Sequence, residues 1–322
     1  MKVIIDCDPG NGVPGANVDD TLALTYALRC PDLDVRAIWT VFGNTSAPEG
    51  ARAARALLDA IDRTDVPVRQ GSDSPLTADV HPEHRKLWRS KLDGPSQDPA
   101  VFPLWGSPSA PTRIDEGDAV PHLDQLEQDL LEAGQGVVLI CIGPLTNLAR
   151  LLASHSPAVD AIGAVYVMGG AIADPALVDT NFAVDPLAAK AVIESGIPLT
   201  VVPLDVTRTT ELTPAAWHEI VSAAGNGDTG AATLDSWVAP WLAYSQDTRP
   251  VNGMWLHDLV AVLALIHPES VTVETAKVRV SGSPAGKLLL DDRGRPVTLV
   301  TSVDNSALVT QLATAVAGQP VG

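Results

Sequence analysis

The sequence predicts an α/β fold: one Rossmann-like domain spanning residues 1–322, with a mainly parallel central sheet covered by helices on both faces. Three observations carry that expectation. Short apolar runs alternate with segments whose apolar residues recur at helical spacing, the pattern of strand–helix–strand units. The runs at 137–142 and 199–204 are almost purely apolar, as strands buried on both faces must be. With 322 residues, 46% of them hydrophobic and 19% charged, the chain can bury a large core without disulfides or structural metals.

The elements follow in order. Val3-Ile4-Ile5 is a strand stopped by Asp6-Cys7-Asp8-Pro9-Gly10. A Gly/Pro/Asn-rich stretch leads to Asp19-Asp20, which opens a helix carrying Leu22, Leu24, Tyr26, Ala27 and Leu28; acidic groups in a first turn complement the helix dipole. A second strand over 35–41 ends in Phe42-Gly43-Asn44-Thr45, and a helix follows over 48–61. After an irregular, Pro-rich interval (72–119) come a strand at 137–142, Gly143-Pro144-Leu145-Thr146-Asn147, and a helix over 148–153. Further strands at 164–168 and 199–204 end in Gly169-Gly170 and Asp205-Val206-Thr207. The segment 281–302 reads as a small C-terminal hairpin turning at Asp291-Asp292-Arg293-Gly294. No internal repeat and no linker divides the chain.

Charge and cysteine content narrow the function. A formal charge of −18 repels nucleic acid and anionic membrane surfaces, so neither is expected as a partner. No apolar run reaches the length of a membrane span. The N-terminal segment turns acidic within six residues and lacks a secretory pattern. Cys7, Cys30 and Cys141 are odd in number and widely spaced, which fits a reducing compartment. A cytoplasmic location is the expectation.

In a parallel sheet, ligands bind beyond the carboxyl ends of the strands. Asp6, Asp8, Asp19 and Asp20 are expected to meet there, and so many carboxylates in one place call for a cation. Carboxylates with a backbone carbonyl and waters suit calcium or magnesium rather than zinc. The plainer alternative is that Asp19 and Asp20 only cap a helix while Asp6 and Asp8 are solvated.

The run Asp6-Cys7-Asp8-Pro9-Gly10 followed by Asp19-Asp20 resembles the D-x-D-P-G-x-D-D signature of the inosine-uridine-preferring nucleoside hydrolases, with seven extra residues within 11–18. The resemblance continues, in family order, through Phe42-Gly43-Asn44-Thr45, Ile142-Gly143-Pro144-Leu145-Thr146-Asn147 and Val167-Met168-Gly169-Gly170. It runs on through Asn181-Phe182-Ala183-Val184-Asp185-Pro186 and Leu204-Asp205-Val206-Thr207 to Leu256-His257-Asp258.

The resemblance implies calcium-dependent hydrolysis of the N-glycosidic bond of ribonucleosides, giving ribose and free base. It implies calcium held by the carboxylates of Asp8, Asp20 and Asp258 and by the Ile142 carbonyl, with Asp8 also taking a proton from the attacking water. Asp19 and Asn44 would bind ribose hydroxyls, and Asp179 would serve the 5′ side of the sugar. Asn181 would lie by the ring oxygen and Met168 would pack on the ribose. It further implies a homo-oligomer, dimer or tetramer. An oxocarbenium-like transition state is stabilised by such an oxygen-rich pocket.

His257, beside a metal ligand, is the candidate for the leaving base, against the ordinary structural role of a lone histidine. Trp88 and Trp255 are candidate stacking partners, while most of the other tryptophans read as core. His81 and His84 read as solvated loop residues. The 11–18 insertion either reshapes the pocket mouth or bulges into solvent. Two other functions are weighed. A haloacid-dehalogenase-type phosphohydrolase also begins with a strand and D-x-D, but it expects a hydroxyl where Gly10 stands and leaves the His257-Asp258 block unexplained. A non-catalytic nucleoside- or ribose-binding protein on the same scaffold would not need the full ligand set.

Overall fold

In the computed structural model, residues 1–76, 102–105, 123–174, 176–225, 228–282 and 286–318 are described. Strand β1 (Lys2–Cys7) lies in the interior of the sheet. Its alternating side chains explain why: Val3, Ile5 and Cys7 enter one apolar core and Ile4 the other, so both faces must be covered. β2 (Asp34–Thr40) and β3 (Val68–Gln70) are laid down on one side of β1. β4 (Val137–Cys141), β5 (Ile162–Met168) and β6 (Leu199–Val202) follow on the other. β7 (Val271–Val280), β8 (Leu288–Leu290) and β9 (Arg295–Val303) complete a nine-stranded sheet in the order β3-β2-β1-β4-β5-β6-β9-β7-β8. Every pairing from β3 through β6 to β9 is parallel, and β7 is antiparallel to both β9 and β8.

The helices divide between the two faces. Helices α1 (Asp19–Arg29) and α2 (Ala47–Ala60) contribute to the first core, built around Val3, Ile5 and Ile38. The short α3 (Phe102–Trp105) packs at its edge through Leu104 and Trp105. The second core, around Ile4, Trp39 and Val165, is closed by α4 (Leu123–Ala133), α5 (Thr146–Ala153) and α7 (Pro186–Glu194). α6 (Thr180–Val184) and α8 (Leu204–Thr207) are single turns that follow β5 and β6. α9 (Pro214–Ala224), α10 (Thr229–Thr248), α11 (His257–Ile266) and α12 (Asn305–Val316) return to the first face. The expected mainly parallel sheet, covered on both faces, is therefore observed. Among the described residues no helix is long and apolar enough to cross a membrane.

The C-terminal antiparallel region differs in detail from its sequence reading. The hairpin is formed by β7 and β8, with Val280 opposite Leu288. The Asp291–Gly294 turn instead carries the chain from one side of β7 to the other, so that Val278 pairs with Leu290 on one side and Arg295 on the other. Gly294 makes that passage possible. A Cβ there would stand 2.5 Å from the Val278 carbonyl oxygen, a backbone atom that cannot yield.

The order β3-β2-β1-β4 places a topological switch between β1 and β4. Successive connections leave β1 in opposite directions there, opening a crevice at the strand ends.

Candidate active site

At this switch point lies a cavity of about 280 Å³. Asp8 reaches it from just beyond β1, and Ile142 from just beyond β4. Asp8 is held tightly: its backbone N–H donates to Asp20 Oδ1 at 2.9 Å, and its Oδ2 accepts the Asn44 backbone N–H at 2.6 Å. Gly43 makes room for it, since a Cβ at that position would fall 1.7 Å from Asp8 Oδ2. Asp19 and Asp20 are the first residues of α1, and Asp258 is the second residue of α11. α1 and α11 pack together, so two helix N-termini converge. Their partial positive charge favours the three carboxylates. One oxygen from each of Asp19, Asp20 and Asp258 lies within 4.8 Å of the others, and all three residues are buried.

Burial dominates the electrostatics of this group. Desolvation, with the charge of neighbouring carboxylates added, pushes Asp8 and Asp258 well above the usual carboxylate range. The same causes raise Asp19 to about 8, and desolvation raises Asp20 to about 6. Hydrogen bonds only partly offset burial at Asp20, where Asn44 Nδ2 donates to Oδ2 at 2.9 Å. Asp19 Oδ1 is sealed from solvent with no hydrogen-bond partner among the described residues. A hard divalent cation fits this set: oxygen donors only, an orphaned carboxylate oxygen, and a backbone carbonyl at the cavity wall.

The other expected residues also line the cavity. Asn44, Met168, Asp179, Asn181 and His257 are all in its wall. Asp179 caps α6, its Oδ1 accepting the Phe182 N–H at 2.8 Å, which fixes the turn that presents Asn181. Asn181 Nδ2 donates to the Ile142 carbonyl at 2.8 Å and the Met168 carbonyl at 3.2 Å, tying α6 to the ends of β4 and β5. A carbonyl oxygen has two lone pairs, so Ile142 retains one for another partner. The His257 Nδ1 and the Thr207 hydroxyl are 2.7 Å apart. Desolvation, with Arg249 and Arg208 adding unfavourable positive charge, lowers the His257 pKa to about 3 and keeps the ring neutral.

One expectation is corrected. Asp6 does not join the cluster: it is buried below the cavity, where Oδ1 accepts from Asn147 Nδ2 at 2.8 Å, and burial raises its pKa to about 8. Asp258, remote in sequence and named as a metal ligand by the resemblance, lies with Asp19 and Asp20 instead. Asp205 likewise turns away, accepting the N–H groups of Ile172, Ala173 and Asp174 to pin the loop after β5. The Gly143-to-Asn147 and Asp185-Pro186 blocks prove to be braces. Asn147 joins Ser72, Asp6 and the Thr40 carbonyl, and Asp185 accepts from Thr146 and from the Leu76 N–H.

Several wall residues escape sequence reasoning. Trp241 and Arg249 line the cavity, with the Arg249 guanidinium 4.4 Å from the Trp241 ring. Trp255 is not in the wall; it backs His257 at 5.6 Å between ring centroids and carries Arg208 over its face at 4.6 Å. Trp88, His81 and His84 lie outside the described residues. The insertion reshapes the pocket mouth: Gly15, Ala16 and Asn17 line the cavity. Asn11 anchors it through the Ala53 carbonyl and the Thr21 hydroxyl. Asn17 Oδ1 accepts the Val18 and Asp19 N–H groups, so the insertion also steadies the start of α1. Asn17 lies one residue before the N-cap, Val18, so neither it nor Trp241 nor Arg249 carries a capping mark in the sequence.

Fold and pocket together are those of an α/β enzyme with its cavity at the switch point of a parallel sheet. The sequence profile described as inosine-uridine preferring nucleoside hydrolase matches residues 3–310. A pyrimidine-specific ribonucleoside hydrolase, RihA, from Klebsiella pneumoniae is 32% identical, with 97% of each chain covered. RihA from Salmonella typhimurium is 33% identical over 84% of this chain and 81% of its own. Among solved structures, a purine-preferring ribonucleoside hydrolase from Gardnerella vaginalis has the same fold. Its TM-score is 0.77 at 24% identity, over 99% of this chain and 98% of its own. The chain belongs to the inosine-uridine preferring nucleoside hydrolase family, and it hydrolyses the N-glycosidic bond of ribonucleosides.

Proposed function

We propose that the chain acts as a calcium-dependent ribonucleoside hydrolase, with Asp8 as the base that activates water. The single observation that carries this reading is that Asp8, Asp19 and Asp258 line one cavity, with buried Asp20 clustered against Asp19 and Asp258 and bonded to the Asp8 N–H. Asp8, Asp20, Asp258 and the Ile142 carbonyl would hold the ion. When bound, calcium would neutralise these carboxylates, grip the vicinal hydroxyls of ribose and acidify the attacking water. Asp8, which lines the cavity and is fixed at one oxygen by the Asn44 N–H, would take that water's proton.

Asp19 and Asn44 would orient the ribose hydroxyls, Asp179 the 5′ side, and Asn181 the ring oxygen, with Met168 packed on the sugar. Charge develops as the C1′–N bond lengthens, and oxygens already fixed around C1′ stabilise it without reorganising. Neutral His257 would offer the departing base a hydrogen bond. The expected homo-oligomeric state, dimer or tetramer, and a cytoplasmic location belong to the same reading; buried free cysteines support the latter. One domain over residues 1–322 is supported by a single sheet that takes strands from Lys2 to Val303.

Initial rates on inosine, uridine, cytidine and adenosine, with and without a chelator, test the reading directly. Ribose release that stops on chelation and returns with calcium is expected. Phosphate release from phosphomonoesters would favour a phosphohydrolase, and tight binding without turnover a binding protein. His257→Ala is expected to slow a natural ribonucleoside by roughly 10²-fold, the lower range for a proton-handling side chain. It should slow a nitrophenyl riboside far less, since nitrophenolate leaves unaided. Equal losses on the two substrates would remove His257 from the leaving-group end.

A further inference from the structure

We infer that Arg249 is the group that receives negative charge on the departing base, through an oxygen of that base. This rests on the hydrolase reading above and assigns its leaving-group end. Arg249 follows α10 directly. Its backbone N–H donates to the Ser245 carbonyl at 2.8 Å, and its own carbonyl accepts the Val251 N–H at 2.9 Å. The side chain therefore starts from a fixed point. Trp241 lies 4.4 Å from the guanidinium and Tyr244 5.9 Å, so two aromatic faces hold the cation in place.

What it lacks is a paired anion, since Asp19 acts on its charge only from beyond ion-pair distance. Arg249 lines a cavity that carries several aspartates, yet among the described residues it forms no ion pair. Its Nη1 is sealed from solvent and has no hydrogen-bond partner there. A buried guanidinium N–H left bare is costly, and the cavity that Arg249 lines is one place from which an acceptor can come. The acceptor has to be an oxygen or an anion, because arginine only donates.

Chemistry decides which part of the substrate supplies it. A cation beside C1′ would oppose the positive charge that develops on the sugar, so Arg249 gains nothing from the reaction at that end. At the opposite end the sign is right. The C1′–N bond breaks heterolytically and its electron pair stays with the base, spreading onto any carbonyl oxygen. Water's oxygen forms the new bond to C1′ and its proton passes to a carboxylate. The base anion takes a proton after leaving. Arg249 would hold that anion meanwhile, which favours bases bearing a carbonyl or carboxylate oxygen over bases without one.

The test compares Arg249→Gln with the parent enzyme on uridine, inosine, adenosine and a nitrophenyl riboside. Removing one preorganised donor costs about 10²–10³-fold in kcat. Losses near 10²-fold are expected on uridine and inosine, with changes under about 3-fold on adenosine, whose base has no oxygen, and on the nitrophenyl riboside. Arg249→Lys should restore part of the uridine rate. A uniform loss across all four substrates would overturn the assignment, as would full activity on uridine. If the parent enzyme releases ribose from none of the four, the hydrolase reading fails first. Thermal melting of both variants separates a packing defect, because misfolding would lower all four rates together.

Discussion

Asp8→Asn is expected to fold normally and to lose turnover on every ribonucleoside, by about 10³-fold or more. Asn has the shape of Asp, and that shape is what the surroundings demand. Gly43 and Gly143 close around the Asp8 carboxylate, and the Asn44 N–H can still find an oxygen acceptor in the amide. What disappears is the capacity to take a proton, worth typically 10²–10⁴-fold for a positioned base. Part of the charge that would neutralise a divalent ion goes with it. Single-turnover rates of ribose release at saturating calcium measure the first effect apart from metal affinity. A variant that keeps near-normal kcat would show that Asp8 is not the base.

The second large effect concerns the ion itself. Asp258→Ala should abolish measurable calcium binding while raising the thermal stability of the chelated protein. Crowding carboxylates in a buried cluster is unfavourable without a counter-ion, so deleting one relieves the apo state. In the parent protein, calcium at a hundredfold excess over Kd should contribute about 2.7 kcal/mol, or roughly 5 °C in Tm for a chain of this size. Asp258→Ala should show no such shift.

Proton linkage gives the same cluster a second signature. Burial raises the folded-state pKa of Asp19 to about 8 and of Asp20 to about 6, above the ordinary value of 3.8. The folded chelated protein then binds more protons than the unfolded chain, so its stability falls as pH rises from about 4 to about 8. Saturating calcium should flatten that fall. Unchanged metal content in Asp258→Ala by elemental analysis would remove it as a ligand.

Much of this site is legible in one dimension because its parts are local. A strand that stops at Pro9-Gly10 and a helix that opens on Asp19-Asp20 each follow from short-range rules, and the ends of β4 and β5 are marked by Gly143 and Gly169-Gly170. The direction of a side chain beyond a strand end is not local. Asp6 and Asp8 look equivalent in D-x-D, yet one is committed to Asn147 beneath the cavity and the other faces it. Trp255 is adjacent in sequence to the His257-Asp258 block, but it is Trp241, on a helix, that lines the wall. The C-terminal turn shows the same limit: Asp291 to Gly294 has hairpin composition, while strand order makes it a passage across β7.

From its residues alone the chain determined a parallel α/β sheet, the oxygen-rich donor set and the strand ends that present it, because hydrophobic period and turn chemistry act over a few residues. Tertiary structure alone decided that Asp8 and not Asp6 faces the cavity, that residues of the 11–18 insertion line it, and that Arg249 stands in its wall. Those outcomes depend on which strands become neighbours and how α1, α10 and α11 pack. Such long-range packing is set by the whole core, and no short stretch of sequence encodes it.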